Sequence, residues 1–250
     1  RDIKDKGSIH HMNNWLLPII GPLLLYQGRR VRSQTLRLPE PKGGRYGEAG
    51  DKSKPLRRVL IVGDSAAVGV GCDTLEESVA GQFVAMLSDR FYVEWQLIGQ
   101  SSLTCGGILS LLRATQLKLD GVDTVLISAG VNDVTKGTSP TDWHAAIIRL
   151  TGYLQQHCHA RQVIYTGLPP MHQFPALPQP LRWYIGGRAQ QLNDSLKTHC
   201  AAHNGVAYLP LNLPFSPELM ARDGFHPSAQ AARLWAEQAV VVMNQSGANF

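Results

Sequence analysis

No apolar run in this 250-residue chain reaches the roughly 20 residues that a helix needs to cross a bilayer. The longest, Trp15 to Tyr26, spans about a dozen residues and is interrupted by Pro18, Gly21 and Pro22. It has no basic stretch before it and no small-residue cleavage site, so a signal peptide is weakly supported. Cysteine is scarce. Cys72, Cys105, Cys158 and Cys200 stand far apart with no C-x-x-C pair, which suits a reducing compartment or incidental buried thiols better than a disulfide framework. His157-Cys158-His159 has ligand-like residues, but it lacks a second cluster and sits where a helix should end, so no metal site is expected. The G-K-[ST] signature is missing, which removes a P-loop, and neither internal repeats nor low-complexity segments occur. What remains, 44% apolar and 17% charged residues, is the composition of an ordinary globular domain.

The formal charge of +5 is unevenly spread. Residues 1–58 carry 13 Lys/Arg against 5 Asp/Glu, and the rest of the chain carries 11 against 14. The basic character therefore belongs to an N-terminal arm, and no nucleic-acid partner is expected for the body. Arg29, Arg30, Arg32 and Arg37 are either a solvated tail or a contact for anionic lipid or an acidic partner. Residues 1–11 (RDIKDKGSIHH) read as leftover expression-tag sequence, with Met12 as the expected native start. Residues 12–57 divide into the apolar segment and a linker arm. The apolar segment either packs on the domain or gives peripheral membrane contact through residues 15–32. Residues 38–56, rich in Pro, Gly and charge, read as a linker or long exposed loop. The folded domain is assigned to 58–250. The expected compartment is the cytoplasm, with membrane association or export as alternatives.

From Arg58 onward strands and helices alternate. Val59–Val62, Tyr92–Ile98, Val122–Ser128, Gln162–Thr166 and Val206–Leu209 read as buried strands. Thr74-Leu75-Glu76-Glu77 has the form of a capping box, with Leu75, Val79, Phe83 and Leu87 following at helical spacing. Further helices are expected over 107–117, from Ser139-Pro140 to His157, over 185–203 and over 228–242. Five strand–helix alternations argue for an α/β fold, a three-layer sandwich around a five-stranded doubly wound parallel sheet. In such sheets ligands bind beyond the carboxyl ends of the strands, so chemically loaded residues should follow strands directly.

They do. Gly63-Asp64-Ser65 follows the first strand and a glycine-rich turn continues it, which would expose Ser65 beside backbone N–H groups. Gly130-Val131-Asn132-Asp133 follows the third, where a side-chain amide can face a developing oxyanion. Near the C-terminus Asp223-Gly224-Phe225-His226-Pro227 places a carboxylate three residues from an imidazole, close enough to fix its tautomer while the ring takes a proton from Ser65. Each segment alone is an ordinary turn; their joint occurrence in this order is not.

Together these segments resemble the conserved blocks of the SGNH hydrolases, the GDSL-type esterases and lipases, over about residues 58–245. The resemblance implies a flavodoxin-like sandwich, no metal or organic cofactor, and ester hydrolysis through an acyl-enzyme. By position it implies Ser65 as nucleophile, His226 as base and acid, and Asp223 as its orienter. Asn132 and the Ser65 backbone N–H would supply oxyanion donors. One block departs from the family pattern, which places a glycine before a loop threonine after the second strand. Here Ile98-Gly99-Gln100-Ser101-Ser102-Leu103-Thr104 puts Ser102 at that place, with Gly99 as the alternative donor if the loop is longer. A serine there is costly if the position needs positive φ.

The segment from Gly167 to Arg188 reads as a long loop stiffened by prolines. Met171, Phe174, Trp183 and Tyr184, with Asp64 and Phe225 beside the motifs, are expected to line a substrate pocket. The alternative is that these side chains only fasten the loop to the body. The expected partner is a small-molecule acyl ester of short to medium chain length. A sugar acetate or a thioester would use the same reacting atoms, and a decayed binding protein is the reading from outside enzymology.

Overall fold

The computed structural model describes residues 17–211, 213 and 216–247. The segment read as tag remnant, Met12, and Trp15 lie outside the described residues. Six strands form one sheet: β1 (Tyr46–Ala49), β2 (Leu56–Gly63), β3 (Tyr92–Gly99), β4 (Val122–Ser128), β5 (Ala160–Thr166) and β6 (Val206–Leu209), in the order β1-β3-β2-β4-β5-β6. Strands β2 to β6 are parallel, as the alternation predicts. To these the structure adds β1, antiparallel to β3, inside the stretch read as a linker. An edge strand of four residues with alternately exposed side chains carries no apolar run to announce it.

Side chains of the central strands alternate between the two faces. Leu60 and Val62 enter one core, with Leu24 of α1 (Leu17–Gln34), α3 (Cys105–Ala114), α5 (Pro140–His157) and α6 (Leu181–Ala202). Val59 and Ile61 enter the other, under α2 (Val79–Ser88) and α7 (Ala229–Gly247). A short helix, α4 (Val131–Lys136), follows β4. The faces close on large buried groups such as Trp143, Phe83, Ile147 and Leu150. Burial of a side chain of this kind contributes about 1.5–3 kcal/mol. The apolar segment is therefore part of the body: Ile20 and Val31 of α1 pack against the first core beside Leu24. Gln27 donates from Nε2 to the Gln179 carbonyl at 2.7 Å and accepts the Leu181 N–H at 3.1 Å.

Helix starts differ from the sequence reading at α3, which begins at Cys105 rather than 107, and at α2 and α6. The cap of α2 is Ser78, whose hydroxyl accepts the Gly81 N–H at 3.2 Å. Leu75 is buried ahead of the helix in a turn whose carbonyl accepts the Ser78 hydroxyl at 2.6 Å. α6 begins at Leu181 rather than 185, so the irregular stretch after β5 is shorter and contains a 3-10 turn at Met171–Gln173. Gly186-Gly187 obscured this start, since glycine weakens helix propensity. Gly186 is needed for packing, because a Cβ there would stand 2.5 Å from the Cβ of His172.

Candidate active site

The sheet topology reverses at β2, whose neighbours β3 and β4 are reached in opposite directions, and the crevice of a doubly wound sheet lies at such a point. Ser65 follows β2, Ser102 lies in the loop after β3, and Asn132 sits in the first turn of α4 after β4. The strands thus deliver three polar groups to one end of the sheet.

The fourth group arrives on a loop folded upon itself. The Ala221 N–H donates to the His226 carbonyl at 2.8 Å and the Ser228 N–H to that of Leu219 at 3.0 Å. Asp223 holds the turn: its Oδ1 accepts the N–H groups of Phe225 and His226 at 2.9 and 3.0 Å. Its Oδ2 meets His226 Nδ1 at 2.5 Å. The other ring nitrogen, Nε2, lies 2.9 Å from Ser65 Oγ. Burial alone would raise the Asp223 carboxyl, but its bonds from the imidazole and the two amides outweigh that and hold it below its ordinary value. Gly71 permits this loop to approach the turn that carries Ser65. At φ +105°, any Cβ would stand 2.5 Å from the Pro227 carbonyl oxygen and 3.1 Å from His226 Cβ.

Asp64 lies beneath these groups, only 2% exposed. Its Oδ1 accepts the Ala66 N–H at 3.2 Å and the Ser128 hydroxyl at 3.1 Å, and its Oδ2 accepts from Asn132 Nδ2 at 3.3 Å. The amide of Asn132, which lines the cavity, is thereby tethered through one of its hydrogens. Burial pushes the Asp64 carboxyl up to about 6, against the opposing pull of the Ala66 amide and the Ser128 hydroxyl. The neighbouring Asp133, also buried, accepts the Cys105 N–H at 2.9 Å and so joins α4 to the start of α3.

Ser102 has φ +67°, the left-handed conformation in which a serine Cβ is strained. Its carbonyl accepts from Lys136 Nζ at 2.6 Å, and the preceding Ser101 N–H donates to Glu40 Oε1 at 2.8 Å. Gly99, the alternative oxyanion donor, is a residue of β3 in register with Gly63, and a Cβ there would lie 2.6 Å from the Gly63 carbonyl oxygen. It serves close strand packing and does not line the cavity, whereas Ser102 does. Glu40 and Arg45, which bonds the Gly99 carbonyl at 2.6 Å, come from the stretch read as a linker and brace this loop. No residue type or spacing announced them.

Ser65, Ser102, Asn132 and His226 open onto one cavity of about 1340 Å³. Asp64, Met171, Phe174, Tyr184 and Phe225 line it. Phe225, on the His226 loop, meets Phe174 edge to face at 6.1 Å. Trp183 does not line it and stands 40% exposed. Once α6 starts at Leu181, the positions 181, 184, 185 and 188 share the inward face, and 183 falls on the opposite one. The cavity also has a wall that the sequence reading left out, formed by α1 and the residues after it, including Leu24, Leu25 and Leu36. The four cysteines are free thiols, three of them buried. No cluster of three metal-ligating side chains occurs among the described residues.

The chemistry available here is nucleophilic: a hydroxyl hydrogen-bonded to an imidazole, itself oriented by a carboxylate, beside amide donors. The profile of the GDSL-like Lipase/Acylhydrolase family matches residues 61–234, well over half of the chain. A GDSL-like esterase of Mycobacterium tuberculosis is 27% identical over 229 residues, covering 84% of this chain and 71% of the relative. Among solved structures, the psychrotrophic esterase EstA of a Pseudoalteromonas species, inhibited by monoethylphosphonate, superposes with a TM-score of 0.59 at 19% identity, covering 76% of this chain and 97% of that one. The lipase/acylhydrolase of Enterococcus faecalis gives a TM-score of 0.58 at 19% identity, covering 76% and 96%. At such identities the superpositions speak to the fold, and the family profile speaks to kinship. The chain is a member of the GDSL-like lipase/acylhydrolase family.

Proposed function

We propose that this chain is a serine esterase that hydrolyses carboxylic esters of short to medium acyl chains through an acyl-enzyme. The observation that carries the reading is the continuous chain Ser65 Oγ, His226 Nε2, His226 Nδ1, Asp223 Oδ2, with links of 2.9 and 2.5 Å, at the floor of a large cavity. In this reading His226 Nε2 takes the Ser65 proton as Oγ attacks the acyl carbon. The backbone N–H groups of Ser65 and Ser102 and the second amide hydrogen of Asn132 receive the oxyanion. His226 then returns the proton to the departing alcohol, and water repeats the sequence on the acyl-enzyme. Met171, Phe174 and Leu177 offer the acyl chain an apolar wall. That favours an alkyl ester over a sugar acetate, whose ring hydroxyls would need polar partners. The cavity exceeds the roughly 300–1000 Å³ of common ligand pockets, which favours the medium end of the range.

The test is hydrolysis of p-nitrophenyl acetate, butyrate, octanoate and palmitate by the wild type and by Ser65→Ala. The expected result is a maximum at butyrate or octanoate, with loss of turnover by orders of magnitude in the variant. Palmitate as the best substrate would overturn the chain-length assignment, and full activity in Ser65→Ala would remove the nucleophile.

A further inference from the structure

We propose that α1 is a docking surface for an anionic lipid bilayer, set so that bound protein presents the mouth of its active-site cavity to the membrane. The helix has two apolar sides with different tasks. Its inner side, Ile20, Leu24 and Val31, is packed on the core. Its outer side repeats Ile19, Leu23, Tyr26 and Arg30 at helical spacing, and the first three are 69%, 45% and 60% exposed. Large apolar groups aligned this way on solvent call for a partner, unlike scattered exposed ones. No described helix is long and apolar enough to cross a membrane, and an apolar stripe beside basic residues suits contact along the helix flank.

Charge selects the partner. From Leu17 to Pro39 there is no Asp or Glu, while Arg29, Arg30, Arg32 and Arg37 are all present and exposed. Among the described residues none of these four forms an ion pair, although Arg45 and Arg58 do. A second copy of the chain is a poor occupant, since two such faces would repel. An anionic surface satisfies both halves of the helix: lipid around the apolar stripe and headgroups around the guanidinium groups. Residues 59–250 carry 11 Lys/Arg against 14 Asp/Glu and would be repelled by the same surface, so the orientation is set by the basic N-terminal part that includes α1.

Arg29 and Arg32 also line the cavity, with Leu25 and Leu36, which are 65% and 52% exposed at its edge. The wall of the pocket and the proposed membrane contact are thus two sides of one helix. An amphiphilic ester could pass from bilayer to Ser65 along it, a consequence that rests on the esterase reading; the docking itself does not.

The test is flotation of the full chain, as Ser65→Ala, with vesicles of phosphatidylcholine alone or with about 30% phosphatidylserine. Binding should require phosphatidylserine and fall at about 0.5 M salt. The triple variant Ile19→Ser/Leu23→Ser/Tyr26→Ser and the single variant Arg30→Glu should each weaken it about tenfold or more. In the Ser65-containing background both variants should keep wild-type turnover of p-nitrophenyl acetate, which shows that they fold. Absence of binding to phosphatidylserine vesicles, equal binding to both compositions, or variants that bind like the parent would each overturn the proposal. So would light scattering that shows a dimer dissociated by the triple variant. Inert wild-type protein on every ester, with vesicle binding intact, would remove the esterase reading and leave the docking surface standing.

Discussion

The loop that carries Asp223 and His226 is held by its own residues, whereas the loop that carries Ser102 is held by distant parts of the chain. In the first, Asp223 accepts from residues two and three positions away. In the second, Ser101 leans on Glu40, 61 positions earlier, and Ser102 on Lys136, 34 positions later. Under the proposed esterase reading, the difference teaches how two requirements of one reaction are met. Proton transfer needs a fixed imidazole, and a carboxylate on the same turn supplies that cheaply in chain entropy. Oxyanion donors must be aimed from several strands at one point, so their aim depends on the packing of the whole sheet end. A local loop should fail all at once when its centre is removed; a braced loop should fail by degrees.

The largest effect expected is at the local loop. His226→Ala should lower kcat by about 10⁴-fold or more, and Asp223→Ala by about 10³–10⁴-fold, in steady-state ester hydrolysis. Near-normal turnover in Asp223→Ala would mean that the turn is kept by its backbone alone.

Next come the oxyanion side and its support. Asn132→Ala should cost about 10²–10³-fold in kcat with little change in KM. Asp64→Asn should cost about 10- to 100-fold, because one of the two acceptor oxygens becomes an NH2 donor, which must then face either Asn132 Nδ2 or the Ala66 N–H. The same substitution has a stability signature. Burial raises Asp64 from 3.8 to about 6, so the folded chain binds this proton more tightly than the unfolded chain. The contribution is fully present below about pH 4 and is lost as the pH rises through 6, a swing of about 3 kcal/mol. Asp64→Asn, which mimics the neutral form, should therefore gain on the wild type between pH 4 and 6, read as the difference in Tm across that range. A constant difference would show that Asp64 titrates alike in both states.

Smaller effects test the bracing. Lys136→Met and Glu40→Gln each remove one charged partner of the Ser102 loop and should lower kcat roughly fivefold, since about 1 kcal/mol of aim is lost. Stopped turnover in either would make that loop as brittle as its counterpart. Last, Ser102→Gly keeps the N–H and relieves the left-handed serine, which costs about 1 kcal/mol, less glycine's added entropy in the unfolded chain. Turnover should stay within about twofold, with stability in denaturant melts equal or slightly higher. A clear loss of activity would show that the Ser102 hydroxyl acts in its own right.

The same contrast explains what the sequence revealed. The D-x-x-H-P turn could be read because its contacts lie within a few residues, and the strands because apolar runs mark burial on both faces. Asn132 was legible as an amide after a strand. The Ser102 position was legible only as a departure from a family pattern, and its positive φ is the strain that the substitution implied. Glu40, Arg45 and Lys136 were not legible, since a charged residue in a Pro/Gly-rich stretch or at a helix end looks solvated until the sheet brings its partner near. The linker reading failed at Tyr46–Ala49 for a related reason: a half-exposed edge strand is defined by its neighbour β3 and not by its own residues. The shift in the start of α6 moved Trp183 from the pocket to the surface, because a helix face is set by where the helix begins.

The most direct test of the account is to trap the acyl-enzyme side of the reaction. The wild-type chain would be treated with a fluorophosphonate, digested, and mapped by mass spectrometry for the site and extent of labelling. The account predicts one adduct, on the peptide containing Ser65, formed far more slowly in His226→Ala. Labelling at another serine, or labelling of Ser65 at the same rate without His226, would contradict it.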